Sequence, residues 1–537
     1  MRERRSAFWI GFLAVAVGVV LQLPMYVDSA GRGYRLVGMM MGPSMWLGMG
    51  LVALGLCTTL YSLVPPSAEM DERTAGLRVR ALDDAPINRT HVGLLLVMAL
   101  AITIDVMKPT ILSFVVPGMA REYGLKSPVN LSGTIPVALL PLSGITGTVL
   151  GSFLWGWMGD RIGRRASILM AGMTFIATSA CGAMPAFWMN CVMCLTMGFG
   201  VGGMLPIMFT LMAESIPARH RGWMMVLIGG DIVGAYIITS ALASWLVPHY
   251  NWRILWLIGF PTGFLLLFLS RWIPESPRFL LAQGQIREAE SVMRRYGAVA
   301  VREPEPVAES EVRDRFTQLL RPPFLGITAT VILLALGGGF VQFGFQLWIP
   351  SNLQRLGFTE AGSFELLRNA ALIGFPLNFV VAWMYGFWSS KKTLALLTAL
   401  TAVAMMGFAT LGNAVVHHRA LLYVLLVVPI WGISSVVSVL SAYAAEIYPT
   451  RIRSRGSGLI AGFTKFGGVL IIALVVLAVA PPSIQATALL GAVPLVLAAV
   501  AVVSFGVETR KRQLEEITAE QLAGELAPPF AGGLGAG

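Results

Sequence analysis

The chain has 537 residues, 56% of them hydrophobic and only 12% charged, with a mean hydropathy of +0.73. A soluble protein uses about twice that charged share, so a soluble, acidic or disordered class is excluded. The excess of 39 Lys and Arg over 28 Asp and Glu, a net +11, reads as basic loops kept on one membrane face and not as a nucleic-acid footprint.

Arg2, Arg4 and Arg5 precede an apolar run, Ala7–Tyr26. A signal peptide is one reading; the length of the run and the lack of a clear cleavage site favour a retained helix. With the charge-free interval 36–68 it makes an N-terminal transmembrane helix pair over 1–66, followed by a cytoplasmic linker over 67–90. Further charge-free intervals run 127–159, 166–213, 232–252, 254–270, 322–354, 369–390, 393–418, 420–445 and 466–507. Two of them, 166–213 and 466–507, are long enough for two helices each. Adding the segments near 7–27 and 92–117 predicts about 14 spans in an all-α polytopic membrane protein. The polar stretch 274–321, with a short surface helix expected at Gln285–Tyr296, divides the rest into two six-helix bundles, 91–273 and 322–507, ahead of a cytoplasmic tail at 508–537. Basic residues in short loops stand ten to six in favour of the side on which the first core helix starts. That side and both termini are therefore read as cytoplasmic, in a cell membrane.

The bundles repeat one another. Ala213-Glu214-Ser215-Ile216-Pro217 with Arg221 recurs at one constant offset as Ala445-Glu446-Ile447-Tyr448-Pro449 with Arg453. Two repeats around a central path are an architecture of secondary transporters. Only Asp105, Lys108, Asp231 and Lys465 carry charge inside the predicted core spans. Charge at membrane depth costs at least ~2.5 kcal/mol per residue, which makes each a functional candidate. Asp105 and Lys108 share a helix face and either neutralise one another or open onto a central cavity, Lys108 toward an anion and Asp105 toward a proton. Asp231 and Lys465 lie on corresponding helices of the two repeats and suggest an interdomain pair or a two-sided site. Gln342, Gln346, Asn378, Ser434, Ser435 and Ser438 are the neutral polar candidates, and Trp348 and Trp431 either stack on a substrate ring or pack. No metal or cofactor is expected. The Cys191/Cys194 pair has no second pair or nearby His, and the glycine runs at 198–203 and 337–339 lack a following GK[ST] and serve helix approach.

The decamer Gly156-Trp157-Met158-Gly159-Asp160-Arg161-Ile162-Gly163-Arg164-Arg165 resembles the loop signature of the major facilitator superfamily. Pro274-Glu275-Ser276-Pro277-Arg278, the two Ala-Glu-x-x-Pro-x-x-x-Arg turns, and Glu508-Thr509-Arg510 with Leu514-Glu515-Glu516 resemble its sugar-porter and organic-ion branch, over roughly 90–517. The resemblance implies a conformational latch built from Gly156, Asp160, Arg161, Gly163, Arg164, Arg165, Glu214, Arg221, Glu446 and Arg453, pairing across the bundles and with helix termini to hold one alternating-access state. There are departures. Cys194 stands where the pattern carries an Arg associated with proton transfer, no Asn pattern follows Gln342 and Gln346, and Asp105 with Pro117 resembles the first helix of aromatic-acid/proton symporters except that Lys108 replaces the second acid. The expected function is secondary active transport of a small organic anion or zwitterion by a monomer, with proton symport. An uncoupled facilitator or exporter and a non-transporting membrane sensor are the rivals. An enzyme is not expected, since no nucleophile stands beside a base.

Overall fold

The computed structural model describes residues 2–63, 86–297, 319–322, 324–448, 450–477 and 483–509; side chains of residues 2–5, 156, 157, 159–161, 218, 278, 282, 417, 445 and 450–455 lie outside the described set. Most of the expected linker and tail, and the latch candidates Gly156, Asp160, Arg161 and Arg453, therefore fall outside what can be described. Among the described residues the fold is helical, with two isolated β-bridges near Lys126 and Ser127.

Among the described residues twelve helices are long and apolar enough to cross a membrane, and two shorter apolar helices complete the pattern. The N-terminal pair is α1 (Ser6–Arg32) and α2 (Pro43–Leu63). The first half follows as α3 (Arg89–Glu122), α4 (Leu139–Ile162), α5 (Arg164–Ala183), α6 (Phe187–Ser215), α7 (Arg219–Tyr250) and α8 (Ile254–Leu269). The second half is α9 (Leu325–Arg355), α10 (Glu360–Trp388), α11 (Ser390–Val416), α12 (Arg419–Ala444), α13 (Gly456–Leu477) and α14 (Ile484–Phe505). A short surface helix, Ile286–Arg295, lies between the halves in sequence, as expected.

Several starts are fixed by side chains that satisfy free N–H groups. Asn88 accepts from the Thr90 and His91 N–H groups at 3.0 and 3.2 Å, Ser389 from Lys392 at 3.0 Å, and Thr359 from Gly362 at 3.0 Å. Large apolar side chains such as Leu96, Phe153, Trp188, Trp245 and Val403 remain exposed, as lipid-facing surfaces require.

Several core spans are discontinuous, among them α10, which breaks at Phe375–Pro376 and ends in a π-helical turn, Met384–Trp388. α6 breaks at Gly202–Gly203, α7 breaks at Gly230–Asp231, and α9 passes through a π-helical turn, Phe340–Gln346. Such breaks leave backbone groups free inside a membrane and mark substrate paths in transporters. The expected role of the 198–203 glycines is met at the α4–α6 contact. A Cβ on Gly198 would overlap the Gly144 carbonyl, and one on Gly202 the Thr148 carbonyl. Gly198→Leu should therefore remove the folded, monodisperse species from detergent extracts, whereas Gly93→Leu, with open space beside it, should elute like the parent on size exclusion.

Candidate transport site

The four charges inside the core spans do not pair as their spacing suggests; Asp105 and Lys108 are buried, Asp231 and Lys465 half-buried. Asp105 and Lys108 leave α3 toward different neighbours. Lys108 is 1% exposed, its Nζ donates to the Phe175 carbonyl of α5 at 3.3 Å, and it lies 5.4 Å from the Phe175 ring centroid. A Cβ on Gly259 of α8 would collide with that Nζ, so glycine makes the space the ammonium uses. Lys108 thus bonds inside the first half and not to Asp105, so the two do not neutralise one another through a direct contact.

Asp105 is fully buried, and neither carboxylate oxygen has a hydrogen-bond partner. The opposite charge acting on it is Lys465 of α13, and Asp105 is in turn the charge acting on Lys465. Lys465 Nζ donates to the Ser152 hydroxyl of α4 and to the Gly202 carbonyl of α6. A lysine carried by the second half is thus bound by the first. The local sequence explains the acceptor. The helical donor to the Gly202 carbonyl would be the N–H at position 206, and residue 206 is proline, which has none. Asp231 is held within the first half, accepting from the Thr103 hydroxyl of α3. Asp231 and Lys465, expected to form an interdomain pair or a two-sided site, find different partners: Thr103 for Asp231, and Ser152 with the Gly202 carbonyl for Lys465.

Beside Asp231, the Asn378 amide of α10 donates to the Gly230 carbonyl at the α7 break, 2.9 Å away, and accepts from Ser435 of α12 at 3.2 Å. Ser438 of α12 donates to the Val226 carbonyl of α7 at 2.8 Å. Gln346 reaches the Pro429 and Ile430 carbonyls of α12 at 3.3 and 3.4 Å from within the π turn, while Gln342 is half-buried earlier in that turn. Trp431 and Trp348 are buried with ring N–H groups that have no partner. The halves also meet toward both ends. Arg121 of α3 bonds Glu360 at 2.7 Å and Gln354 at 3.1 Å. At the opposite end Gly222 and Trp223 of α7 lie against Glu446, Tyr385 and Gly386.

The latch region contains a duplicated device that depends on two acids outside the expected set. Glu275 accepts from the backbone N–H groups of Arg164 at 2.7 Å, Arg165 at 3.2 Å and Ser276 at 3.0 Å, and the Ser276 hydroxyl donates to Glu214 at 2.6 Å. Glu508 accepts from the Ser390 N–H at 3.0 Å and from the Ser389 hydroxyl, and Thr509 donates to Glu446 at 2.7 Å. In each half, an acid beyond the last helix caps the third, where the helix dipole favours negative charge. The next residue's hydroxyl then reaches the acid ending the fourth. Burial pushes the Glu275 carboxyl above its ordinary value, against three backbone N–H groups and Arg164 that pull it down. These bonds lie within each half and not across the bundles. Gly163, with φ +98°, has no room for a Cβ beside Glu275. Arg221 donates to the Ile216 carbonyl at 3.2 Å.

Sequence reasoning missed Thr103 and Ser152, neutral residues without a spacing signal. Glu275 and Glu508 did carry one, since they sit in the motifs quoted for the loops.

The family model described as Major Facilitator Superfamily matches residues 95–437. The chain is similar to the niacin transporter NiaP of Acinetobacter baylyi, 27% identical over 450 residues, covering 82% of this chain and 99% of that protein. It is also similar to the gallate transporter of Pseudomonas putida, 25% identical over 398 residues, covering 72% and 85%. A structure of the proton:xylose symporter XylE, bound to 6-bromo-6-deoxy-D-glucose, overlays with a TM-score of 0.64 at 19% identity, covering 80% of this chain and 99% of that one. A partially occluded, inward-open structure of XylE from E. coli overlays at 0.62 with 18% identity.

Removing either cap acid should leave helix N–H groups unmet, at about 1–3 kcal/mol per buried group. Glu275→Ala and Glu508→Ala should each lower the melting temperature in detergent, and Glu275→Gln, which retains an acceptor oxygen, should lower it less.

Proposed function

The chain belongs to the major facilitator superfamily, and from that premise we propose that this multi-pass secondary transporter moves a small organic anion together with a proton. The observation that carries the reading is the Lys465 ammonium, borne by one half and bonded to the other, with Asp105 as its opposing charge.

The logic is electrostatic. In the empty site, ionised Asp105 balances Lys465. In the loaded site, a proton neutralises Asp105 and the substrate's carboxylate takes its place opposite Lys465. Both conditions have the same net charge, whereas a site holding only the proton or only the anion carries one unbalanced charge in a medium of low dielectric. Half-loaded forms are therefore penalised when the halves close, which is what coupling requires. Asn378 bridges the seam at the Gly230 carbonyl beside Asp231, where the substrate's remaining polar groups would be met, with Gln342 and Gln346 as further candidates. Trp431, with its unpartnered ring N–H, offers a flat face and one donor.

Similarity to transporters of niacin and gallate, both small ring carboxylates, supports an aromatic monocarboxylate as the first substrate class to test. The basic-loop bias supports a cell-membrane location with both termini cytoplasmic. One observation favours an uncoupled carrier. Cys194 is buried against Gly144 at the position where the family pattern carries Arg.

The test is uptake of labelled nicotinate, gallate and xylose into proteoliposomes under an imposed pH gradient. Nicotinate or gallate should accumulate when the outside is acidic, and an uncoupler should abolish accumulation. Uncoupler-insensitive accumulation would refute symport. Lys465→Ala should reduce uptake by roughly 100-fold, the scale of the ~3 kcal/mol lost when a buried charge is left unpaired. Asp105→Asn should retain substrate exchange at equilibrium but lose its response to the pH gradient, and Asp231→Asn should abolish flux while still inserting.

A further inference from the structure

The N-terminal helix pair stands outside the duplicated core, and the transport reading makes no use of it. Its helices meet through glycine. A Cβ on Gly18 would fall 2.7 Å from the Gly48 carbonyl oxygen, and one on Gly55 2.7 Å from that of Gly11, so α1 and α2 lie backbone to backbone as a stiff plate. The plate packs on α5. Phe12 also meets Phe264 of α8 edge to face, with ring centroids 5.2 Å apart.

The segment joining α1 to α2 reaches the end of the bundle where α3 finishes. There the Tyr26 hydroxyl donates to the Tyr250 carbonyl at 2.7 Å, and the Asn251 amide donates to the Gly33 and Tyr34 carbonyls at 3.3 and 3.4 Å. Tyr34 stacks on Tyr26. Tyr34 and Asn251 both hold positive φ, +60° and +63°, which non-glycine residues keep only where their surroundings over-determine it.

One further bond matters most. The Leu36 N–H donates to Glu122 Oε1 at 2.9 Å. Glu122 is the acid of an ion pair with Arg253 at 2.7 Å, their side chains 3% and 0% exposed. It also accepts from the Trp252 ring N–H at 2.8 Å. Arg253 directs its other donors to the Gly182 and Met184 carbonyls and the Tyr123 hydroxyl. A pair this deeply buried is favourable only when its lone pairs and protons are met.

We propose that the N-terminal pair is a fixed cap of the first half, closing the Glu122–Arg253 pair through Leu36 and moving with that half as one body during transport. Every contact that carries this proposal is with α3, α5, α7 or α8, or with the turn joining α7 to α8.

A thermal double-mutant cycle on the full chain tests the closure without any substrate. Leu36→Pro, which removes the N–H, should lower the melting temperature by several degrees in the parent and by less in a Glu122→Gln background. Equal drops in both backgrounds would overturn the coupling. Tyr26→Phe, which leaves the backbone intact, should likewise lower it, and no change there would count against the junction. A cross-link between Phe12→Cys and Phe264→Cys made with a short, reducible bifunctional thiol reagent, with Cys57 and Cys191 changed to Ser, tests the movement. Efficient cross-linking with unchanged nicotinate exchange is expected. Failure to cross-link, or exchange lost on cross-linking and recovered with reductant, would refute a single moving body. If the parent carries no nicotinate, the substrate reading falls, and the thermal cycle and the cross-linking yield still decide this proposal.

Discussion

An ammonium group carried into an apolar bundle must be met by oxygen. Lys465 meets this requirement in the opposite half, on a hydroxyl and on a carbonyl left without its helical donor because Pro206 follows Gly202 in the sequence. The requirement orders the rest of the site. It fixes α13 against α4 and α6, brings a compensating charge to Asp105, and makes the break in α6 part of the binding chemistry instead of a defect. The Asn378 amide repeats the theme at the α7 break, where it bonds the carbonyl of Gly230.

Around this centre each half is tied at its base in the same manner. Glu275 and Glu508 lie beyond the last helix of their respective halves, yet cap the start of the third. Chain segments distant in sequence are thereby held by charge-assisted hydrogen bonds to backbone N–H groups, which are stronger than neutral ones. The halves touch toward both ends, at the seams of α7 with α10 and α12, and where Lys465 of α13 meets α4 and α6.

The architecture was legible because bilayer thickness imposes a length on every span, and charge-free intervals record that length directly. The count of about fourteen spans follows from it, while the internal repeat and the family resemblance were carried by the duplicated turns and the loop motif Gly156–Arg165. The pairing of the charges was not legible. Helical spacing relates Asp105 to Lys108 along one helix, but which neighbour each side chain meets depends on helices far away in sequence. Gly259 opens a place for Lys108 against α5, and Pro206 in α6, far from α13 in sequence, prepares the acceptor for Lys465. The basic residues of the short loops were similarly ambiguous. Arg253 counts toward topology in the sequence, yet in the fold it is fully buried against Glu122. Thr103 and Ser152 carry no charge and no periodic signal, and only the packing of α3 on α7 and of α4 on α13 gives them partners.

The placement of the two cap acids also bears on how the polypeptide tolerates being cut. Glu275 precedes residues 298–318 and Glu508 closes the second half, so a chain severed within that interval would leave each fragment with its own anchor. Two such fragments made together in one cell would each hold what is needed to fasten the base of six helices, and their reunion would depend on the seam formed by Lys465, Asn378 and Ser438.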